Sequence, residues 1–228
     1  MIVALLGAEC TGKSLLAAAL LAHMAAQGRS AALVDEFLRQ WCEHHQRTPR
    51  PQEQILIAQE QQRRIEAAAV LHGDVIADTT ALMTAIYSDY VFGDASLYPT
   101  ALAYHRRCDI TLVAGLDIAW QADGIQRDGP HVRLAVDALL RKVLDTEKIP
   151  YYVVYGKDSA RVHHALQAIE YATNSGATCA YSMDSKPLNS TKKWVWQCDK
   201  CSDPDCEHRL FGSLIAASPA AASGQEIG

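Results

Sequence analysis

The sequence predicts an α/β fold: a five-stranded parallel sheet flanked by helices, with a small Cys/His-rich appendage at the C-terminal end. Three observations predict it. Short apolar runs alternate with helical patterns five times over about 170 residues, and such alternation calls for parallel strands joined by crossover helices. The first apolar run, 2–6, feeds Gly7-Ala8-Glu9-Cys10-Thr11-Gly12-Lys13-Ser14 and then an apolar helix opening at Leu15 and Leu16. Gly-x-x-x-x-Gly-Lys-Ser between a strand and a helix is the pattern of a phosphate-binding loop, so the fold expected is a P-loop NTPase. After residue 172 the periodicity ends, and Cys198, Cys201, Cys206 and His208 gather in a short polar stretch.

The phosphate loop follows from its residue types. Gly7 and Gly12 let the backbone turn so that the N–H groups from Glu9 to Leu15 point at phosphate oxygens, and the helix that opens there favours the same anion. Lys13 supplies a positive charge for the outer phosphates of ATP, and the Ser14 hydroxyl is placed to ligate Mg²⁺.

The helix after the loop, 13–27, carries Leu15, Leu16, Ala19, Leu20 and Met24 at helical spacing and stops at Gly28. The run 31–35 is a second buried strand. Asp35, Glu36 and Arg39 stand at its C-terminal end, where open parallel sheets place ligands; they read equally as an acidic helix N-terminus with an i,i+3 ion pair. Pro49 to Pro51 break the chain, and 52–71 is a long helical pattern with Ile55, Ala58, Ile65 and Ala69 available for packing, a scaffold helix. Val75-Ile76-Ala77 then leads to Asp78. An apolar strand tipped by a carboxylate reads as a Walker B element holding Mg²⁺ opposite Ser14, or as a simple cap for the next helix.

That helix is expected at 79–90, with a turn at Phe92-Gly93-Asp94 and a further helix ending at Arg107. The strand 109–114 comes next. Residues 117–129 are too polar for a core and contain Trp120, Asp123, Gly124 and Arg127. The pattern 130–147 is a strong amphipathic helix with Val132, Val136, Leu139, Leu140, Val143 and Leu144 on one face. The last strand is 151–155 and the closing helix 158–172. Domain boundaries therefore fall at 1–172 for the P-loop domain, 173–193 for a polar linker, 194–211 for a candidate zinc-binding module and 212–228 for an Ala/Ser/Gly-rich tail expected to be disordered.

The chain has 228 residues, 49% of them apolar and 21% charged, and a formal charge of −5. Those values fit a globular protein and give no broad cationic surface for nucleic acid or membranes. No apolar run is long enough to span a bilayer, and no secretory leader is recognisable at residue 1, so a cytoplasmic location is expected. In a reducing compartment Cys198-x2-Cys201-x4-Cys206-x-His208 offers four soft ligands for a structural Zn²⁺, with free thiols as the alternative. Trp194 and Trp196 beside it would cover the site or meet a protein partner.

The span 1–172 resembles the ribosylnicotinamide kinase domain of bacterial NAD-salvage proteins and the P-loop ATPases and kinases related to it. The resemblance is carried by Gly7 to Ser14, Glu36-Phe37-Leu38-Arg39, Ile76-Ala77-Asp78-Thr79, and Trp120-Gln121-Ala122-Asp123-Gly124 with Arg127. It implies ATP-dependent phosphorylation of a small hydroxyl-bearing metabolite, nicotinamide riboside or a similar nucleoside. Catalytic roles would fall to Lys13, Asp78, Glu36 and Arg127, and acceptor binding to Glu36, Arg39, Asp78, Trp120 and Asp123. Glu36 and Asp78 are both candidates for the base. Arg127, with Arg133, would close over the nucleotide; Arg133 reads otherwise as a solvated helix residue, and Trp120 as a lid anchor or as an apolar residue behind it. Two departures stand out. The family's Asp-Thr-Asp is here Asp78-Thr79-Thr80, and the lid arginine's usual position is Gln126. No adenylyltransferase or DNA-binding segment is recognisable, so dinucleotide synthesis and repression are not expected. The lost carboxylate and the C-terminal module favour a second reading, a regulatory ATPase that switches a protein partner.

Overall fold

A computed structural model describes residues 1–120 and 130–174. The elements run β1 (Ile2–Leu6), α1 (Lys13–Ala26), β2 (Ala31–Val34), α2 (Phe37–His45), a 3-10 turn (Pro51–Glu53), α3 (Gln54–Leu71), β3 (Asp74–Asp78), α4 (Ala81–Phe92), α5 (Tyr98–His105), β4 (Ile110–Ala114), α6 (Pro130–Thr146), β5 (Tyr152–Val154) and α7 (Asp158–Asn174). The five strands form one parallel sheet in the order β2-β3-β1-β4-β5. The chain adds β2 and β3 on one side of β1 and β4 and β5 on the other, so the crevice at the C-terminal ends of the strands opens beside the loop that follows β1.

Two apolar layers hold the sheet. On one face Val3, Leu5, Ile76, Ile110 and Leu112 meet Leu16, Ala17, Leu20 and Met24 of α1 and Ala165, Ala168 and Ile169 of α7. On the other, Ala4, Leu6 and Val113 meet Leu82 and Ile86 of α4 and Val132, Val136, Leu140 and Leu144 of α6. Alternate residues of β1 thus face opposite layers, as a period of two requires. Leu5, Leu6 and Leu112 are fully buried, each contributing on the order of 2 kcal/mol through apolar burial.

Several expectations are corrected. Helix α2, weighed only as the alternative reading of Asp35, Glu36 and Arg39, is a formed element whose nine residues follow Glu36 directly. In α1 the inward face is Leu16, Ala17, Leu20 and Met24, whereas Leu15 is 81% exposed. In α3 the inward face is Gln54, Ile57, Ala58, Gln61, Gln62 and Ile65, and Ile55 and Ala69 lie outside it. The cap of α4 is Thr80, whose Oγ1 accepts from the Leu82 N–H at 3.3 Å, so Asp78 is not a cap. Arg133 is 5% exposed, with Nε and Nη2 buried and unpartnered among the described residues, which removes the reading of a solvated side chain. Asp123, Gln126, Arg127, Cys198, Cys201, Cys206 and His208 lie outside the described residues, as do most of the linker and the tail. Among the described residues no group of metal-ligand side chains gathers, and no helix is long and apolar enough to cross a membrane.

Candidate nucleotide and acceptor site

The turn after β1 has the strain that its sequence allows. Gly7 has φ +141°, and a Cβ there would lie 3.1–3.3 Å from the side chain and backbone of Ala114. Gly12 has φ +73° and stands at the N-terminus of α1. Only glycine meets both requirements at Gly7: a backbone that L side chains rarely adopt and contact with the neighbouring strand. Cys10, at φ 54°, completes the turn. Thr11 Oγ1 and Lys13 Nζ both donate to the Ala8 carbonyl, each at 2.8 Å, which folds the loop around the lysine. Burial pulls the Lys13 pKa down, and the carboxylates of Glu36 and Asp78 pull it back up.

At the tip of β3, Ser14 Oγ donates to Asp78 Oδ2 at 2.5 Å, while Asp78 Oδ1 is buried without a partner. An orphaned carboxylate oxygen beside a serine hydroxyl suits a hard divalent cation. The next residue, Thr79, takes φ +70°, an outlier for a β-branched side chain that costs roughly 1–3 kcal/mol. Two bonds hold it there: its N–H donates to Leu5 O at 3.1 Å and its carbonyl accepts from Gln61 Nε2 at 3.3 Å. Thr80 then turns inward, 1% exposed, where its Oγ1 meets His105 Nδ1 at 3.1 Å, and His105 Nε2 meets Thr111 Oγ1 at 3.0 Å. The position of the family's second carboxylate is therefore part of the core here. Burial, aided by the Arg106 charge, lowers the His105 pKa to about 4, so the ring is neutral.

A cleft of about 240 Å³ opens beside the loop. Its lining includes Gly7, Glu9, Cys10, Lys13, Glu36, Arg39 and Thr79, together with the apolar and aromatic Leu38, Met83, Tyr87, Val91 and Phe92. Glu36 and Arg39 make a loose ion pair, 3.8 Å apart. The pair stands at the start of α2 and also lines the cleft. Glu36 does not cap the helix with its side chain. Asp35 is exposed and outside the lining. Trp120 is half-buried, and its Nε1 donates to Glu9 Oε1 at 3.4 Å, so it meets the edge of the phosphate loop instead of the core.

Other residues of the site were not foreseen. Tyr87 lines the cleft and its hydroxyl accepts from the Glu9 N–H at 3.2 Å. Gln54, on the helix expected to be scaffold, also lines the cleft and is 5% exposed. Arg161 on α7 is 4% exposed and donates to the carbonyl of Thr11 in the phosphate loop at 2.8 Å. A signal existed for both: each is a polar residue at core-facing helical spacing, Gln54 with Ile57, Ala58 and Ile65, and Arg161 with Ala165, Ala168 and Ile169.

A family model described as an AAA domain matches residues 2–161. The chain belongs to this AAA domain family. Among solved structures, this AAA domain chain is similar to a NadR protein in complex with NR, at TM-score 0.61 and 19% identity over 76% of this chain and 51% of that one. It is also similar to a NadR protein in complex with NAD and AMP-PNP, at TM-score 0.56 and 18% identity over 76% of this chain and 49% of that one. The chain thus spans about half the length of the NadR chains, and at such identities the likeness establishes a shared P-loop kinase fold. Curated proteins gave no match.

Proposed function

We propose that this chain is an ATP-dependent kinase that phosphorylates a hydroxyl of a small nucleoside, nicotinamide riboside foremost. The observation that carries the reading is one cleft whose lining joins Lys13, Glu36 and Arg39 to apolar and aromatic side chains, Met83, Tyr87 and Phe92 among them. Such a lining suits a heteroaromatic ring, with Tyr87 and Phe92 supplying π faces and Gln54 a neutral donor and acceptor. The NR complex of the similar NadR structure supports the choice of nucleoside.

Roles divide by geometry. Ser14 and Asp78 fit Mg²⁺, which when bound with ATP offsets phosphate charge. Asp78 is committed to Ser14 and has its other oxygen buried, whereas Glu36 faces the cleft; Glu36 is therefore assigned as the base that takes the proton from the acceptor hydroxyl as its oxygen attacks the γ-phosphorus and ADP departs. Lys13 draws charge from the outer phosphates, and Arg39 orients the acceptor. Arg127, Asp123 and Arg133 are proposed to complete the nucleotide side, and Cys198, Cys201, Cys206 and His208 to hold a structural Zn²⁺.

The test is a turnover screen with ATP, Mg²⁺ and a panel of nucleosides that includes nicotinamide riboside. Wild type should consume ATP in step with one nucleoside, and Glu36→Gln should lower that rate by about 10²–10⁴-fold with little change in ATP affinity. Thr80 in place of a second carboxylate favours a second reading, a regulatory ATPase that acts on a protein partner. ATP consumption that no nucleoside accelerates and that survives Glu36→Gln would select it.

A further inference from the structure

The segment after β4 runs alongside the phosphate loop and touches it at successive points. Asp117 Oδ1 accepts from Arg161 Nη1 at 3.1 Å, and Arg161 Nη2 donates to Thr11 O at 2.8 Å. Ile118 Cδ1 lies 2.8 Å from where a Cβ on Gly12 would stand. Cys10 Sγ approaches the Ala119 carbonyl at 3.7 Å, and Trp120 reaches Glu9. Residues 117–120 thus form a strap along loop residues 9–12. The strap is tied at its other side to the turn after β5: Gly156 N–H donates to Asp117 Oδ2 at 2.6 Å, and Arg161 Nη1 donates to Gly156 O at 3.0 Å.

Arg161 is the junction of these contacts. It lies in a helix far along the chain from the loop, almost wholly buried, and a guanidinium is suited to three acceptors in fixed directions where an ammonium is not. Taking such a charge from water is costly unless it is compensated, so a simple packing role is better served by an apolar side chain. What the three bonds accomplish is directional. The Thr11 carbonyl is held outward by Arg161, and a peptide whose carbonyl is held outward presents its N–H to the opposite side, where the loop meets phosphate. Against the desolvation that opposes it, the Gly156 N–H and Arg161 keep the Asp117 carboxyl below its ordinary pKa, so the partner stays ionised.

We infer that Arg161, oriented by Asp117, is a positioning residue that sets the phosphate loop for the outer phosphates of a nucleoside di- or triphosphate. It touches no substrate itself. The inference rests on the loop binding nucleotide and is independent of which acceptor is used.

The experiment is binding of ATP, ADP and AMP to the full chain by calorimetry, alongside thermal unfolding, for wild type, Arg161→Lys and Asp117→Asn. In Arg161→Lys the positive charge remains, but its donors sit on a single nitrogen and cannot reproduce the directions in which Nη1 and Nη2 hold Asp117, Gly156 and Thr11. Affinity for ATP and ADP should then fall about tenfold or more, the scale of a lost charge-assisted bond, while affinity for AMP stays within about twofold. Asp117→Asn should show the same dependence on phosphate number in weaker form. A merely structural role would lower all three affinities together with the unfolding temperature. Equal loss for the three nucleotides, or a folded Arg161→Lys with unchanged ATP affinity, overturns the inference. If Arg161→Lys does not fold, Asp117→Asn decides alone: a selective loss for ATP and ADP supports the inference, and an even one overturns it.

Discussion

Ser14 and Asp78, 64 positions apart in the chain, are joined by a 2.5 Å hydrogen bond from Oγ to Oδ2, and the second carboxylate oxygen stays buried without a partner. The pair links the start of α1 to the tip of β3 and leaves one anionic oxygen for a cation. Asp78→Asn keeps the shape and removes the charge. Mg²⁺-dependent turnover should fall by about 10²–10³-fold, nucleoside present or not, since the metal supplies several kcal/mol of charge stabilisation. A magnesium titration of initial rates checks this, and an unshifted titration at full rate would remove Asp78 from the metal site.

Lys13 donates to the Ala8 carbonyl, lines the cleft and fills no part of the apolar layers. Lys13→Ala should therefore lower turnover by about 10²–10³-fold, the usual cost of removing one aligned donor, with an unfolding temperature close to wild type. Rate and differential scanning fluorimetry, measured on one preparation, separate these effects.

Gln54 holds its neutral amide against the cleft at the N-terminus of α3. In Gln54→Leu the acceptor KM should rise about tenfold while the KM for ATP is retained, as expected for loss of one or two hydrogen bonds to the acceptor alone. Steady-state kinetics with each substrate varied in turn provide the check; parallel rises in both KM values would place Gln54 outside the acceptor pocket.

His105 supplies a pH dependence with a definite sign. Its pKa, lowered by burial to about 4 from an ordinary 6.5, means the unfolded chain takes up a proton that the folded chain resists. The contribution is complete above pH 6.5 and is lost as pH falls toward 4, amounting to roughly 3 kcal/mol across that window. His105→Gln should be less stable near neutrality, because Thr80 and Thr111 lose ring partners, yet should lose less on acidification. Urea melts at pH 7 and pH 4.5 for both proteins test the difference of differences.

How far the sequence could be read follows from what each signal encodes. The five strands and the helices after them were legible because apolar period reports which face is buried, and the phosphate loop because Gly7, Gly12, Lys13 and Ser14 are local in the chain. Asp78 stands at the tip of β3 and Glu36 just past β2, whereas Arg39 lies in the first turn of α2. The choice between their roles was not legible, since it depends on the Ser14 contact and on which side chain faces the cleft. Thr80 looked like a lost catalytic group, and only the fold shows it bonded to His105 from another helix. Tyr87 and Arg161 meet the phosphate loop across long sequence separations, and the polar positions of Gln54 and Arg161 on core-facing stripes were the only local sign of either. Leu15 and Ile55 were assigned inward by hydrophobicity alone; the rotation of each helix is fixed by its whole apolar stripe, and both residues fall outside it.

The central place of β1 also bears on how the chain is made. Its neighbours are β3 and β4, with Ile2 beside Val75 and Val3 beside Ile110, and both of its faces are apolar. During synthesis this strand leaves the ribosome before either partner exists, so an adhesive ribbon must wait while two crossover units are translated. Nascent chains arrested shortly after Phe92 would have β1 flanked on one side only, and chaperone dependence should be greatest between the appearance of β3 and that of β4. The strand that carries the phosphate loop is thus also the one whose late enclosure governs the risk of aggregation.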